Sequence, residues 1–216
     1  MKMTMGAPAL LAAAMIAAAA PAQDTANPLY AAAVADEAFI QLTAKLGDDR
    51  GYCVDFPGFP ASGIVSAYRE ATWPIGMHTC KTRIEHANVA TVDQLFVASA
   101  LRDGGQLRFS RLKVCAEVVT FGGVKAPGHV QETGIRTDAQ LVANPCSGKP
   151  EQQFVLDAVG RIKPVLDPGK CLTVGKEAFE AGDRTPGHPW HRRDLQLRRC
   201  SGADRLLQTW RIAPAA

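Results

Sequence analysis

The chain has 216 residues, 47% of them hydrophobic, and a formal net charge of +3. That charge is small and evenly spread, which excludes a partner held chiefly by phosphate charge, whether nucleic acid or acidic lipid. Nineteen glycines and fourteen prolines, with few long amphipathic helical patterns, argue for a β-rich chain with many turns.

The N-terminus reads as an export signal. Lys2 supplies one positive charge, Ala9 to Ala20 is almost entirely Ala, Leu, Met and Ile, and Ala20-Pro21-Ala22 closes the run with small residues. A charged start, a short apolar stretch and small residues at the cut describe a secretory signal peptide over residues 1–22, removed after Ala22. The run lies between Pro8 and Pro21 and is too short to cross a bilayer, which takes about 20 apolar residues. The mature chain is therefore expected from Gln23, secreted or periplasmic, without a membrane span. Residues 23–38 read as a linker or a short helix before a first strand at Phe39.

Six cysteines follow: Cys53, Cys80, Cys115, Cys146, Cys171 and Cys200. An even count behind a signal peptide implies disulfides, and no CxxC offers a redox or zinc motif. Six cysteines allow 15 pairings, but the flanking residues repeat. After the second cysteine of each successive pair comes Gln94-Leu95-Phe96, then Gln152-Gln153-Phe154, then Gln208-Thr209-Trp210. Two of these lead to a glycine turn and an apolar strand, Gly105-Gln106-Leu107 and Gly160-Arg161-Ile162. Before the second cysteine, Ile75 and Met77, Leu141 and Ala143, and Leu195 and Leu197 alternate with period two, so each pair faces inward from one strand. The unit is a strand with Cys, a variable loop, a second strand with Cys, and Gln-x-aromatic, and it occurs three times. This predicts bridges 53–80, 115–146 and 171–200, each closing a loop of about 30 residues and contributing roughly 3.5 kcal/mol. In each signature the ring fills core volume, and the Gln amide, if buried, must find partners in the adjacent turns.

With these repeats the sequence resembles the ricin B-chain-type (R-type) lectins, a β-trefoil carbohydrate-binding family. The resemblance rests on Gly51-Tyr52-Cys53-Val54-Asp55, Gly169-Lys170-Cys171-Leu172, Leu195-Gln196-Leu197-Arg198-Arg199-Cys200 and the three Gln-x-Phe/Trp signatures. It covers about Phe39 to Ile212. The second repeat departs from it at Leu112-Lys113-Val114-Cys115-Ala116-Glu117. The resemblance implies an all-β, disulfide-bonded trefoil of about twelve strands over residues 39–213, a six-stranded barrel capped by three hairpins. The pseudo-symmetric repeats would span about 39–104, 105–160 and 161–213. It also implies glycan binding through an Asp two after the first cysteine, an aromatic two before the second, and an Asn before Gln-x-Trp.

Carried onto this chain, the first repeat supplies Asp55, His78, Asp93 and Gln94 as carbohydrate-binding residues. His78 stands where an aromatic is expected; an imidazole is planar and can stack or hydrogen-bond. Asp93 stands where the family has Asn and would put a second carboxylate near Asp55. Two ionised carboxylates repel unless a proton, a cation or a ligand intervenes. Asp55 also suits a turn residue in Asp55-Phe56-Pro57-Gly58, satisfying local amides, and His78 a hydrogen-bonded strand residue. The second repeat supplies Glu117, Asn144 and Glu151, without a stacking ring; the third supplies Thr173, Arg198 and Leu207, without a carboxylate. Phe59, Tyr68 and Trp73 suit either a site rim or a cover for the barrel end. Trp190 is a second-choice stacking residue. His188 and His191 lack a third ligand, so no metal is expected, and no cofactor either. Arg192-Arg193 and Arg198-Arg199 form a basic cluster that reads as a solvated loop and strand edge.

No hydrolase or phosphate-binding motif is present, so no enzyme is expected. The expected function is a secreted carbohydrate-binding protein with one preserved site in the first repeat and a glycan or glycoconjugate as partner. The alternative is a trefoil without sugar binding, used for protein contact, inhibition or an envelope structural role.

Overall fold

The computed structural model describes residues 36–56, 73–81, 93–119, 141–181 and 190–215. The expected signal peptide, nearly all of the 23–38 segment, Phe59, Tyr68 and His188 lie outside the described residues. In chain order the strands are β1 (Glu37–Leu42), β2 (Tyr52–Asp55), β3 (Trp73–Pro74), β4 (Gly76–Thr79), β5 (Leu95–Val97), β6 (Val114–Val118) and β7 (Leu141–Pro145). They continue with β8 (Phe154–Leu156), β9 (Ile162–Pro164), β10 (Lys170–Val174), β11 (Phe179–Ala181), β12 (Trp190–Arg193), β13 (Leu195–Arg199) and β14 (Trp210–Pro214). The first strand starts two residues before Phe39. Its burial alternates, with Ala38, Ile40 and Leu42 inward, because successive side chains of a strand face opposite sides.

The pairings close a ring. β1 pairs antiparallel with both β14 and β5. Phe96 of β5 bridges Phe109, and Gln106 bridges Gln153 just before β8. β8 pairs with β9, and the Trp210 N–H of β14 donates to the Gly160 carbonyl ahead of β9 at 2.7 Å. Six segments thus form a barrel, the one at Gln106–Phe109 held by bridges rather than a full ladder. Three antiparallel hairpins accompany it: β2–β4, β6–β7 and β10–β13. This is a β-trefoil.

Each hairpin carries one disulfide, Cys53–Cys80, Cys115–Cys146 and Cys171–Cys200, with separations of 27, 31 and 29 residues. The second cysteine of each pair donates its N–H to the carbonyl two residues before the first: Cys80 to Gly51, Cys146 to Lys113 and Cys200 to Gly169. The core joins all three repeats. Phe96 and Phe109 lie 4.3 Å apart between centroids, with Phe154, Ile162, Leu172 and Trp210 buried in the same cluster. Glycine is required at two points of the ring. Gly105 (φ +70°) and Gly160 (φ +83°) sit where a Cβ would come within 2.5 Å of the Phe154 carbonyl and 2.8 Å of the Trp210 carbonyl.

Three strands lie outside the twelve-segment trefoil plan: β3, β11 and β12. β3 adds to β7. β11 and β12 form a hairpin of the third repeat, and β12 then pairs with β4 of the first, setting Arg192 opposite His78 and Arg193 opposite Met77. This strand joins two repeats and lies against the expected site.

Candidate functional site

The three glutamines of the repeated signature are fully buried, and each uses both donors and its acceptor alike. Gln94 accepts from the Lys81 N–H at 2.8 Å and donates to the Thr79 carbonyl at 3.2 Å and to Asp55 Oδ2 at 3.0 Å. Gln152 accepts from the Ser147 N–H at 2.8 Å and donates to the Pro145 carbonyl at 2.9 Å and to Glu117 Oε2 at 2.8 Å. Gln208 accepts from the Ser201 N–H at 2.9 Å and donates to the Arg199 carbonyl at 3.0 Å and to Thr173 Oγ1 at 2.9 Å. In every repeat the amide binds the residues on either side of the second cysteine and the side chain two after the first. A buried amide needs these partners, and through them it pins the disulfide end of each hairpin.

The first repeat adds charge to this arrangement. Asp55 and Asp93 are each 1% exposed, His78 is 4% exposed and Gln94 0%. Lys81, directly after Cys80, places Nζ 3.3 Å from Asp55 Oδ2 and 2.5 Å from Asp93 Oδ2. The cation between the two carboxylates is thus the chain's own ammonium. The Phe56 N–H donates to the Asp93 carbonyl at 2.9 Å, holding the two acidic segments together. Burial works against ionisation of Asp55, but Lys81, His78, Arg192 and Gln94 outweigh it and hold its carboxyl below the ordinary range. Burial pushes the Asp93 carboxyl well up despite Lys81, and the charge of Asp55 adds to this. Burial opposes the charge of Lys81 too, and the two acids overcome that and raise its pKa. One ammonium neutralises one buried carboxylate, so Asp93 is the group driven toward its neutral form. Its Oδ1 is buried and makes no hydrogen bond to the described residues.

His78 presents its ring to Trp190 of β12, with centroids 5.2 Å apart and planes tilted by 42°. Its Nδ1 lies 2.9 Å from the Thr79 carbonyl, which assigns the ring proton there. Burial depresses its pKa to about 4, so it is neutral at neutral pH. Trp190 is 3% exposed and also lies under the Arg50 guanidinium, 4.8 Å from its carbon. β12 is further tied by the Thr79 hydroxyl, which donates to the His191 carbonyl and accepts from its N–H at 3.1 and 2.9 Å. His191 Nδ1 meets Asp48 Oδ2 at 3.1 Å. Asp48 is driven to about 2 although burial opposes this, because Arg50 and His191 hydrogen-bond its carboxylate. Arg193 lies over the Tyr52 ring at 4.7 Å and donates to the carbonyls of Gly175, Lys176 and Leu46.

The structure therefore brings Asp55, His78, Asp93 and Gln94 together, in a closed polar cluster with the third repeat's strand against it. Asp55 spends Oδ2 on Gln94 and Lys81, which a turn role does not describe. In the second repeat, Glu117, Asn144 and Glu151 are half-buried; in the third, Thr173 is buried, Leu207 packs at the core edge and Arg198 is exposed. Trp73 lies in β3, paired with Ala143. Sequence reasoning missed Lys81, whose signal was a cation directly after a cysteine with two acids in the same repeat. It also missed the docking of β12, which no local pattern announces. Among the described residues no group of three or more metal-binding side chains occurs, and no helix is long and apolar enough to cross a membrane.

No family model and no curated protein matches the sequence. Among solved structures, the chain is similar to the earthworm R-type lectin C-half in complex with GalNAc, at 13% identity and a TM-score of 0.46, over 83% of this chain and 98% of that one. It is similar to the Vibrio vulnificus hemolysin/cytolysin β-trefoil lectin with N-acetyl-D-lactosamine bound, at 11% identity and 0.46, over 83% and 94%. The mdaA-1 domain solution structure matches at 19% identity and 0.45, over 85% and 97%. The chain thus has structural matches among R-type and β-trefoil lectins over most of its length, while its assignment as a β-trefoil rests on the six-segment ring and the three hairpins.

Proposed function

We propose that this protein is a lectin-like binding module of an oxidising compartment, not a hydrolase, with glycan as its ligand class and the first repeat as its polar site. The observation that carries this reading is the charge in the first repeat. In the third repeat a neutral hydroxyl, Thr173, satisfies Gln208, so the fold itself does not require Asp55, Asp93 and Lys81. Buried ionisable groups beyond structural need mark candidate functional sites. Carboxylate, ammonium and amide side by side are the acceptors and donors that adjacent sugar hydroxyls use. Three disulfides fit an oxidising compartment, and a signal peptide at residues 1–22 accounts for delivery to it.

The second reading is a trefoil that contacts protein instead. It is favoured by the 1% exposure of Asp55 and Asp93 and by Trp190 packed on the His78 ring. A glycan array on the oxidised protein, with and without calcium and beside Asp55→Asn, separates the two. Binding by the native protein that disappears in a folded Asp55→Asn variant supports the glycan reading. A folded native protein that binds no glycan moves the function to protein contact.

A further inference from the structure

The basic residues near the C-terminus divide in the fold. Arg193 is buried and bonded to three carbonyls, and Arg192 is half-buried opposite His78. Arg198 and Arg199 are exposed at the disulfide end of the β10–β13 hairpin. Arg198 occupies the position two before the second cysteine, which His78 fills in the first repeat. There β12 pairs along β4; among the described residues β13 pairs with β10 alone.

Among the described residues the guanidinium of Arg198 is held but not neutralised. Its Nε and one terminal nitrogen both donate to Gln196 Oε1, at 2.9 and 2.7 Å. A neutral amide therefore sets the direction of the fork, no acid among the described residues compensates the charge, and among those residues the remaining N–H groups are available to a planar or tetrahedral anion. The surroundings add positive field. Arg199 stands directly opposite Lys170 in the ladder, a like-charge pairing that lies on the other face of the strand from Arg198, because successive side chains alternate, and so adds field only at a distance. Arg161 reaches the same end, with a terminal nitrogen 3.5 Å from the Ser201 carbonyl. The nearby acid on Lys170, Asp167, is 3.5 Å away and half exposed, so it compensates weakly. Where the first repeat buries carboxylates, the third has Thr173 and Leu207.

We infer that the third repeat carries an anion-recognition site centred on Arg198, fitted to the sulfate ester or carboxylate of an acidic glycan. This rests on the glycan-binding reading for its ligand class, but uses a different repeat. Arg198 grips the anion, and the other basic side chains at this end of the hairpin add only long-range field.

The test is titration of the full oxidised protein with a sulfated disaccharide, a uronate-bearing disaccharide and their neutral parent, at low and high salt. The expected result is binding of one or both acidic sugars that weakens with salt and falls about tenfold in Arg198→Gln, the loss of a charge-assisted bidentate contact. The sulfated and uronate arms identify the source of the anion. Arg211→Gln is the matched control, because Arg211 is exposed and held by Gln41 Oε1 at 2.9 and 2.7 Å but belongs to the β14–β1 ladder. Equal losses in Arg198→Gln and Arg211→Gln, or none in either, overturn the inference in favour of unspecific charge attraction. Neutral glycan bound in an Asp55-dependent manner, without acidic sugar at Arg198, removes this inference and keeps the first-repeat site. Acidic sugar bound through Arg198 with no effect of Asp55→Asn does the reverse.

Discussion

The first and third repeats solve the same structural problem with opposite chemistry. Both bury a glutamine that ties the disulfide end of a hairpin to the core. In the third the partner two after the first cysteine is a hydroxyl, and Arg198 and Arg199 beside it in the hairpin are exposed. In the first it is a carboxylate, joined by a second carboxylate and a lysine, with a strand from another repeat laid against them. The contrast separates what the fold needs, one acceptor for the glutamine, from what one repeat has added. Buried charge of this kind is weak evidence for stability, since an apolar or neutral set of similar volume is often as good.

The largest effect should come from breaking the charged set unevenly. Lys81→Met leaves Asp55 and Asp93 buried without their cation, and should cost about 3–5 kcal/mol in chemical denaturation at pH 7. Grafting the third-repeat set instead, as Asp55→Thr, Lys81→Ser and Asp93→Leu together, should leave stability within about 1–2 kcal/mol of the native protein. A triple variant as unstable as Lys81→Met would mean that the first repeat's fold does depend on its charges.

Next in size, replacing any one cysteine pair by alanine should cost about 2–5 kcal/mol, because each bridge restrains a loop of similar length in the unfolded chain. Loss from the pair 115–146 should match the other two, and a much smaller loss there would show that the repeats are not equivalent in this respect.

His78 sets a pH dependence peculiar to the first repeat. Its folded pKa, about 4, lies below the ordinary 6.5. A depressed pKa means that its contribution is fully present above pH 6.5 and is lost as pH falls toward 4. The loss is bounded at about 3 kcal/mol. Asp93 acts with the opposite sign, because its pKa is raised and its contribution is lost as pH climbs through that value. The His78 share is therefore read as a difference: His78→Phe should flatten the fall in stability between pH 6.5 and 4, and an unchanged slope would remove His78 from the account.

The smallest effect belongs to the neutral centre. Thr173→Ala deprives Gln208 of one acceptor, and should cost about 1–3 kcal/mol at any pH in that range. If it costs as much as Lys81→Met, the two centres are energetically alike and the contrast between them loses its meaning.

Periodicity and repetition made most of the fold legible. Inward alternation at Ile75 and Met77, Leu141 and Ala143, and Leu195 and Leu197 located one strand of each hairpin, since a strand's side chains have a strict period of two. The thrice-repeated Gln-x-aromatic selected one cysteine pairing from fifteen, because a buried amide and ring constrain their surroundings alike wherever they recur. The short strand at Gln106–Phe109 also followed from its glycine turn. The identities Asp55, His78, Asp93 and Gln94 were all readable, and they do converge.

What the sequence by itself determined is thus the local and repeated part: strands, hairpins, bridges, and the glutamine with the residue two after the first cysteine that come together at the end of each hairpin. Tertiary structure decided whether those residues face water. The insertion carrying Trp190 to Arg193 is polar and irregular in sequence, and its pairing with β4 joins residues more than a hundred positions apart. No local period encodes such a pairing, because the free strand edge it satisfies exists only after the first repeat has folded. Lys81 became the counter-ion of two acids for the same reason: charge compensation depends on distance in space, and the hairpin and the core together set that distance.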